Sequence, residues 1–513
     1  MPPRFAPPAV GSVAQVQTLE RKLIDEWGYP ALVLMERAAM ACARFLDRHY
    51  PDAPILVMAG VGNNGADGLA VARMLVDRGR TVKVLTVGGS LNELATRQMA
   101  WLARRGVQSK SFAGAESFGT EWVLVDAIFG IGLNRPLKSD AMLAIDWVNR
   151  GHWRAILAVD VPSGLNADTG ESMGAVVRAT HTMTFGILKT GLMTDQALIR
   201  IGQLWLADIG FPPALLEQLP GHLNLPTPPS APSPDSHKGS LGTVLVIAGS
   251  ATMTGAAVLS AKAAARAGIG LVYLAVPASQ RDPVAMALPE AIVLPMPESG
   301  GTIGPEAIAV LQPQLARCKA VAIGPGLGQS QRVRELVDGL LQIYEGPVVL
   351  DADALPRGDD SLPVRMAPVI MTPHATELGR MFHTTADVIQ KDRLARALEA
   401  ARRFRAIIAL KGARTIVARP DGGFTINATG SPLLATAGSG DVLTGLIAGL
   451  LGRGLEAGEA AMTGVWLHGR AADLARDAGM VSLLAGDVIE RIPLLLNLTP
   501  PPLPPGEEVR PIP

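Results

Sequence analysis

Two short segments of this chain carry residue types and spacings suited to chemistry on phosphorylated ligands. In the first, the apolar run Ile55–Ala59 leads into Gly60-Val61-Gly62-Asn63-Asn64-Gly65-Ala66-Asp67-Gly68 and then an amphipathic stretch. A glycine-bearing turn between strand and helix lets backbone N–H groups approach phosphate where the helix dipole is positive. The amides Asn63 and Asn64 add carbonyl oxygens for a ligand or a hard cation, which an ordinary turn does not need. Two more β-rich runs end in aspartate. Trp122–Asp126 continues into a turn with Gly130, Gly132, Asn134 and Arg135, and Ile156–Asp160 continues into Val161-Pro162-Ser163-Gly164. Ligands of open α/β sheets sit at the carboxyl ends of strands, so Asp126, Asp160 and Ser163 are predicted to converge on Asn63–Asp67.

The second segment is Ala437-Gly438-Ser439-Gly440-Asp441-Val442-Leu443-Thr444-Gly445, at the start of an apolar helix. Its glycines permit a tight turn with free N–H groups at a positive helix end. An anion hole beside a carboxylate is what phosphoryl transfer to a hydroxyl requires. The amides stabilise the transferring group and Asp441 accepts the hydroxyl proton. Helix capping would explain the aspartate alone but not the flanking glycines. Asp351 and Asp353 alternate on a predicted strand end, so one of them faces the site, and periodicity does not choose between them.

The elements that must position these residues alternate regularly. In the first half, runs at 55–59, 82–87, 122–126 and 156–160 read as strands. Stretches at 12–28, 30–48, 67–78 and 91–105 read as helices. In the second half the strands are 243–248, 271–275, 320–323, 348–351, 369–372, 407–410 and 415–418, with helices at 256–267 and 440–451. Such alternation implies a mostly parallel sheet with helices on both faces. The fold class is therefore α/β, with two doubly wound domains at 11–219 and 237–497. Between them, 220–236 (PGHLNLPTPPSAPSPDS) reads as an extended linker, and 498–513 as a disordered tail, because neither can bury enough apolar surface to offset its ordering entropy.

Composition removes other classes. With 513 residues, 48% of them apolar, the chain can bury more than one core. Lys+Arg and Asp+Glu are both 46, so no whole-protein field favours nucleic acid or an anionic membrane. Cys42 and Cys318 lie in different halves and form neither a disulfide framework nor a CxxC metal site; both read as buried apolar residues. The Pro-rich start lacks a signal-peptide core, and no apolar run approaches the ~20 residues needed to span a bilayer. The cytoplasm is the expected location.

The motifs also carry a family resemblance. GNNGADG, DAIFGIGLNRP and VDVPSGL, preceded by Leu34-Met35-Glu36-Arg37-Ala38-Ala39, resemble the NAD(P)H-hydrate epimerase domain across nearly the whole first half. The resemblance implies a Rossmann-like three-layer sandwich. It also implies contacts to the hydrated nucleotide from Asn63, Asn64, Gly65, Ala66, Asp67, Gly130, Ile131, Gly132, Leu133, Asn134, Arg135, Pro136 and Asp160. Asn64, Asp126 and Ser163 would hold potassium, and Asp160 would be the acid/base residue, since epimerisation needs a proton carrier beside the ring. Two departures stand out. Ala66 replaces a usual glycine, which would cost about 1–2 kcal/mol if its φ were positive. Thr190 stands where the family tends to have proline.

In the second half, GSGD resembles the turn of ribokinase-like kinases. HKGS at 237–240, Thr254–Ala257, Gly324–Gly328, Asp351–Leu355, TPHATEL at 372–378 and LKGART at 410–415 together resemble the ADP-dependent NAD(P)H-hydrate dehydratase domain. By that resemblance Asp441 activates the hydroxyl of the hydrate. Ala256, Gly326 and His374 contact the hydrate. Lys411, Gly412, Ala413, Arg414, Thr415 and Gly440 bind the nucleotide. The implied reactants are NADHX or NADPHX and ADP, with Mg2+ bridging phosphates; a homo-oligomer is also expected. Two rival readings are a vitamin or sugar kinase fused to a nucleotide-binding regulator, and a first half that only binds because Ala66 blocks its crevice.

Overall fold

Strands Ile55–Ala59, Val123–Ala127 and Ala155–Val159 are apolar runs buried along their whole length, apart from the single carboxylate Asp126. Helices covering both faces of a parallel sheet demand such runs. The computed structural model describes residues 7–358, 360–498 and 509–512. It divides into one unit of residues 1–222 with 502–513, and another of residues 223–501.

In the first unit the sheet order is 509–512, 203–207, 181–185, 155–159, 123–127, 55–59, 82–86, 109–111. Neighbours are parallel except the outermost Val509–Ile512, antiparallel to Gln203–Ala207. From Ile55–Ala59 the chain first adds strands on one side, then returns to build the other. The reversal falls between 55–59 and 123–127, and a ligand crevice is expected beyond their carboxyl ends.

The asparagine-bearing segment is helical rather than looped. Helix Asn63–Asp77 starts directly after Gly62, four residues before the predicted start. Gly65 allows it to press onto the strand end, since a Cβ there would lie 1.9 Å from the Gly60 carbonyl oxygen. Ala66 does not have a positive φ and its methyl is fully buried in the core. The strain expected there does not arise, and Ala66 does not block the crevice. Thr190 begins a 3-10 turn and its hydroxyl donates to the Asp168 carbonyl at 3.1 Å, a bond that proline could not make.

The second unit orders its strands 292–296, 271–277, 243–247, 320–323, 348–350, 369–371, 407–410, 416–418, 424–426. They are parallel up to 407–410 and antiparallel beyond. Here the reversal lies between 243–247 and 320–323. Helix Ser439–Gly452 is almost entirely apolar and buried, packed with Thr254–Arg266 in the core.

Two predictions from composition are corrected. In 220–236, Gly221–Leu223 is a strand whose Gly221 and His222 pair with Val10 and Ala9. The Asn224 amide donates to the Met462 carbonyl at 2.8 Å and Thr227 N to Thr463 Oγ1 at 2.9 Å. In the tail, Val509–Ile512 is an edge strand, and Gln203 Nε2 donates to the Ile512 carbonyl at 2.8 Å. Proline is tolerated at an edge because its missing N–H can face away from the ladder. Residues 499–508 and 513 lie outside the described set. Both segments acquire structure from partners far away in sequence, which local composition does not reveal. Cys42 and Cys318 are buried and free, as expected. Among the described residues no helix is long and apolar enough to cross a membrane.

Candidate active sites

A cavity of about 750 Å³ opens beyond the strand ends of the first unit. Asn63, Asn64, Asp67, Gly130–Arg135 and Asp160 line it. Of the predicted contacts, Gly65, Ala66 and Pro136 do not. Gly65 and Ala66 instead pack the first helical turn against the sheet.

Asp126 and Ser163 lie beneath the cavity. Asp126 is fully buried, accepting from Ser163 N at 2.8 Å and from Ser163 Oγ at 2.6 Å. Ser163 Oγ in turn accepts from Phe129 N at 2.8 Å, tying the 126–136 turn to the 160–164 turn. Burial pushes the Asp126 carboxyl up to about 6, against the pull of hydrogen bonds from Ser163 and Ile128. Among the described residues no charged side chain offsets that burial. The amide of Asn64 packs on Gly130, and its Nδ2 is buried without a partner. The Asp126 carboxylate, the Ser163 hydroxyl and the carbonyl oxygen of the Asn64 side chain are oxygen donors of the kind that would suit a hard monovalent ion.

Asp160 directly follows its strand at φ 66, a left-handed conformation that costs a non-glycine residue roughly 1–3 kcal/mol. Its Oδ1 accepts from Lys189 Nζ at 2.6 Å and from Thr184 Oγ1 at 3.0 Å. Glu20, from helix Val13–Arg21, and Asp67 share the cavity. Burial, then the charges of Asp160 and Glu20, hold the Asp67 carboxyl well above the usual carboxylate range. Lys189, Glu20 and Gln17 line the cavity without having been found in the sequence. Lys189 could have been suspected from its place in Phe185-Gly-Ile-Leu-Lys189, whereas nothing in the pattern marked Glu20 or Gln17.

The second site assembles around the GSGD turn. Gly438 caps helix Ser439–Gly452 at φ 83, a conformation costly for any residue with a Cβ. Asp441, in the first helical turn, is half-buried. Burial, then the charge of Asp351, pushes its carboxyl up to about 6, while Lys411 pulls the other way. Asp351 is buried and accepts from Lys411 Nζ at 2.9 Å and from the Thr444 hydroxyl at 2.7 Å. Burial alone would lower the Lys411 ammonium, but Asp351 and Glu377 raise it above its ordinary value. A Cβ on Gly440 would stand 3.3 Å from Lys411 Nζ, so the lysine reaches the turn itself.

The expected alternation of Asp351 and Asp353 on a strand fails because the strand ends at Leu350. A turn follows, with Ala352 at φ 49. Asp351 enters the cluster, and Asp353 accepts from Gly328 N at 2.8 Å while still adding negative charge near Asp441. Gly326 and Ala256 come together: a Cβ on Gly326 would lie 3.0 Å from that of Ala256. His374 caps helix Ala375–Met381, its Nδ1 accepting from Thr376 N at 3.1 Å, so its free nitrogen Nε2 carries the proton and lies 3.4 Å from Glu377 Oε1. Arg414 turns inward to the Ala428 carbonyl at 2.9 Å, leaving the exposed Gly412 and Ala413 at the surface of that loop. Sequence reasoning missed His468. It is buried and its Nε2 lies 2.9 Å from the Ser439 carbonyl, behind the GSGD turn.

Residues 244–494 match the family model described as NAD(P)H-hydrate dehydratase, and residues 31–191 the one described as YjeF-related protein N-terminus. The chain is 39% identical over 514 residues to the bifunctional NAD(P)H-hydrate repair enzyme Nnr of Moorella thermoacetica, covering 95% of this chain and 96% of that one. It is 36% identical to the enzyme so named from Thermofilum pendens, covering 95% and 96%. Among solved structures, an ADP/ATP-dependent NAD(P)H-hydrate dehydratase from Bacillus subtilis, co-crystallised with ATP and Mg2+, is 34% identical. The match covers 53% of this chain and 98% of that one, with a TM-score of 0.46.

Proposed function

Because the chain belongs to the family of bifunctional NAD(P)H-hydrate repair enzymes, we propose that its two sites act in succession on one damaged metabolite. The first interconverts the R and S hydrates of NADH and NADPH, and the second removes water from the S form at the expense of ADP. The chain is an enzyme with an epimerase and a dehydratase domain.

The observation that carries this reading is Asp441 at the positive end of a buried helix, beside the Lys411–Asp351 ion pair. Hydroxide is a poor leaving group. Asp441 takes the proton of the hydrate hydroxyl as its oxygen attacks the terminal phosphorus of ADP. The bond between that phosphorus and the bridging oxygen breaks, releasing AMP. The phosphate formed on the substrate then leaves with the C–O electrons as the adjacent proton is lost, restoring the reduced nicotinamide. Gly440 N–H and Lys411 face the transferring group, where fixed donors and charge stabilise it most. Lys411–Thr415 bind the nucleotide, with Arg414 contributing through its backbone. Ala256, Gly326 and His374 contact the hydrate. Mg2+ arrives with the nucleotide, neutralising phosphate charge.

In the first site Asp160 carries the proton, and Asn63, Asn64 and Asp67 with Gly130–Arg135 hold the nucleotide. Asn64, Asp126 and Ser163 would hold a potassium ion, whose positive charge would balance the buried Asp126 carboxylate. The protein works in the cytoplasm as a self-associated enzyme.

Mixed R and S hydrate incubated with the full chain and ADP tests the assignment. Regain of reduced-nicotinamide absorbance from both epimers supports it; a stable phosphorylated product without that absorbance contradicts it. Asp160→Ala should leave one epimer unrepaired beyond its spontaneous interconversion.

A further inference from the structure

Lys189 is buried to 2% exposure against a carboxylate that the proposed epimerisation needs to be mobile with respect to protons. An ammonium is tolerated there only if paired and fully hydrogen-bonded. All three of its protons find acceptors: Asp160 Oδ1 at 2.6 Å, Thr184 Oγ1 at 3.1 Å and the Phe185 carbonyl at 3.1 Å. None is left for a substrate. The Thr184 hydroxyl, itself receiving from Lys189, donates to the same Asp160 Oδ1 at 3.0 Å. That oxygen is therefore held twice, while Oδ2 accepts nothing from the described residues.

The backbone around the pair is fixed independently. The Asp160 amide donates to the Met183 carbonyl at 2.7 Å, with φ at 66. Lys189 lies in strand Leu188–Lys189, in register with Gly11 of Ala9–Gly11. Glu20 from Val13–Arg21 and Asp67 from Asn63–Asp77 line the same cavity as the pair, and the Cys42 thiol of Ala31–His49 is buried and kept uncharged.

We propose that Lys189, with Thr184, is the positioning residue of the epimerase: it clamps one oxygen of Asp160, so that the other oxygen meets the hydrate. This rests on the reading of Asp160 as proton carrier. Lys189 exchanges no proton with substrate and takes no part in the dehydratase reaction.

The test uses the full-length chain and a single hydrate epimer without ADP, following interconversion by chromatography above the uncatalysed rate. Lys189→Met should lower kcat about tenfold to hundredfold, a fraction of the ~10²–10⁴ typical of general acid–base catalysis, with KM within about twofold. The acidic limb of its pH profile should move to higher pH, and Lys189→Arg should recover part of kcat. Thr184→Val should move the limb the same way by a smaller amount, and it decides the matter if Lys189→Met does not fold. Circular dichroism and repair of pure S hydrate with ADP report whether each variant is intact. Wild-type kcat and pH profile in Lys189→Met, or in Thr184→Val if that variant must decide, overturn the proposal. If Asp160→Asn is then inactive, the positioning role alone falls; if Asp160→Asn is also fully active, the reading of Asp160 falls with it.

Discussion

Lys411 Nζ lies 2.9 Å from Asp351 Oδ1 and close enough to Gly440 that a Cβ there would stand 3.3 Å from the ammonium. One cation thus serves a buried carboxylate and the turn where phosphate charge would develop. Removing it exposes both to change. Lys411→Met leaves Asp351 buried without its ion-pair partner, a loss of about 3–5 kcal/mol by comparison with other broken buried pairs. It also removes the positive charge that lowers Asp441. The dehydratase rate should collapse, and any residual activity should show its acidic limb at higher pH than wild type.

Asp441 sets a pH dependence of its own. A general base must be ionised, and burial with Asp351 pushes its carboxyl up to about 6. The kcat/KM for S hydrate, which reports the free enzyme, should fall as pH drops through about 6 and be flat above it until another group titrates. A profile flat down to pH 4.5 would contradict the role.

His468 gives a stability test. Burial holds its imidazole down to about 4, below an ordinary value near 6.5, because the ring is enclosed behind Ser439. A lowered folded-state pKa means that the unfolded chain takes up a proton first as pH falls. The associated stability is whole above about pH 6.5 and is lost progressively down to about 4. At ~1.4 kcal/mol per pKa unit this is roughly 3 kcal/mol. Thermal melts of wild type between pH 7 and 4.5 should show the decline, and His468→Gln should show a smaller one. Equal declines would refute the assignment.

Ala66→Gly tests the correction made at the first site. Since Ala66 is helical with its methyl in the core, glycine should cost about 1 kcal/mol or somewhat more and leave the epimerisation rate unchanged. A faster or more stable variant would mean that the family's glycine relieves a strain at this position.

What was legible in the sequence was local. Gly62–Gly68, Asp160 followed by Pro162-Ser163, and GSGD each place a carboxylate or an amide next to a turn within a few residues; Asn63, Asn64, Asp67 and Asp160 line one cavity, and GSGD builds a separate site in the second unit. What escaped was fixed by distant partners. Strand His181–Phe185 is absent from the strands read in the sequence; His181, Thr182 and Thr184 interrupt its apolar pattern, and Thr184 donates to Asp160. Lys189 and Glu20 reach the same cavity from opposite ends of the unit's sequence. His468 meets Ser439 from 29 residues away. Val509–Ile512 was hidden in a proline-rich tail because an edge strand needs only one partner, here Gln203–Ala207.

Potassium should act through Asp126. Melting temperature of the full chain in potassium chloride should exceed that in choline chloride at equal ionic strength, and Asp126→Asn should abolish the difference. The same difference surviving in the variant would place the ion elsewhere.

The most direct test follows reduced-nicotinamide absorbance when mixed hydrate and ADP are added to wild type and to Asp441→Ala. Both epimers should be repaired by wild type, and Asp441→Ala should repair neither while still interconverting R and S. Repair by Asp441→Ala at the wild-type rate would contradict the account at its centre.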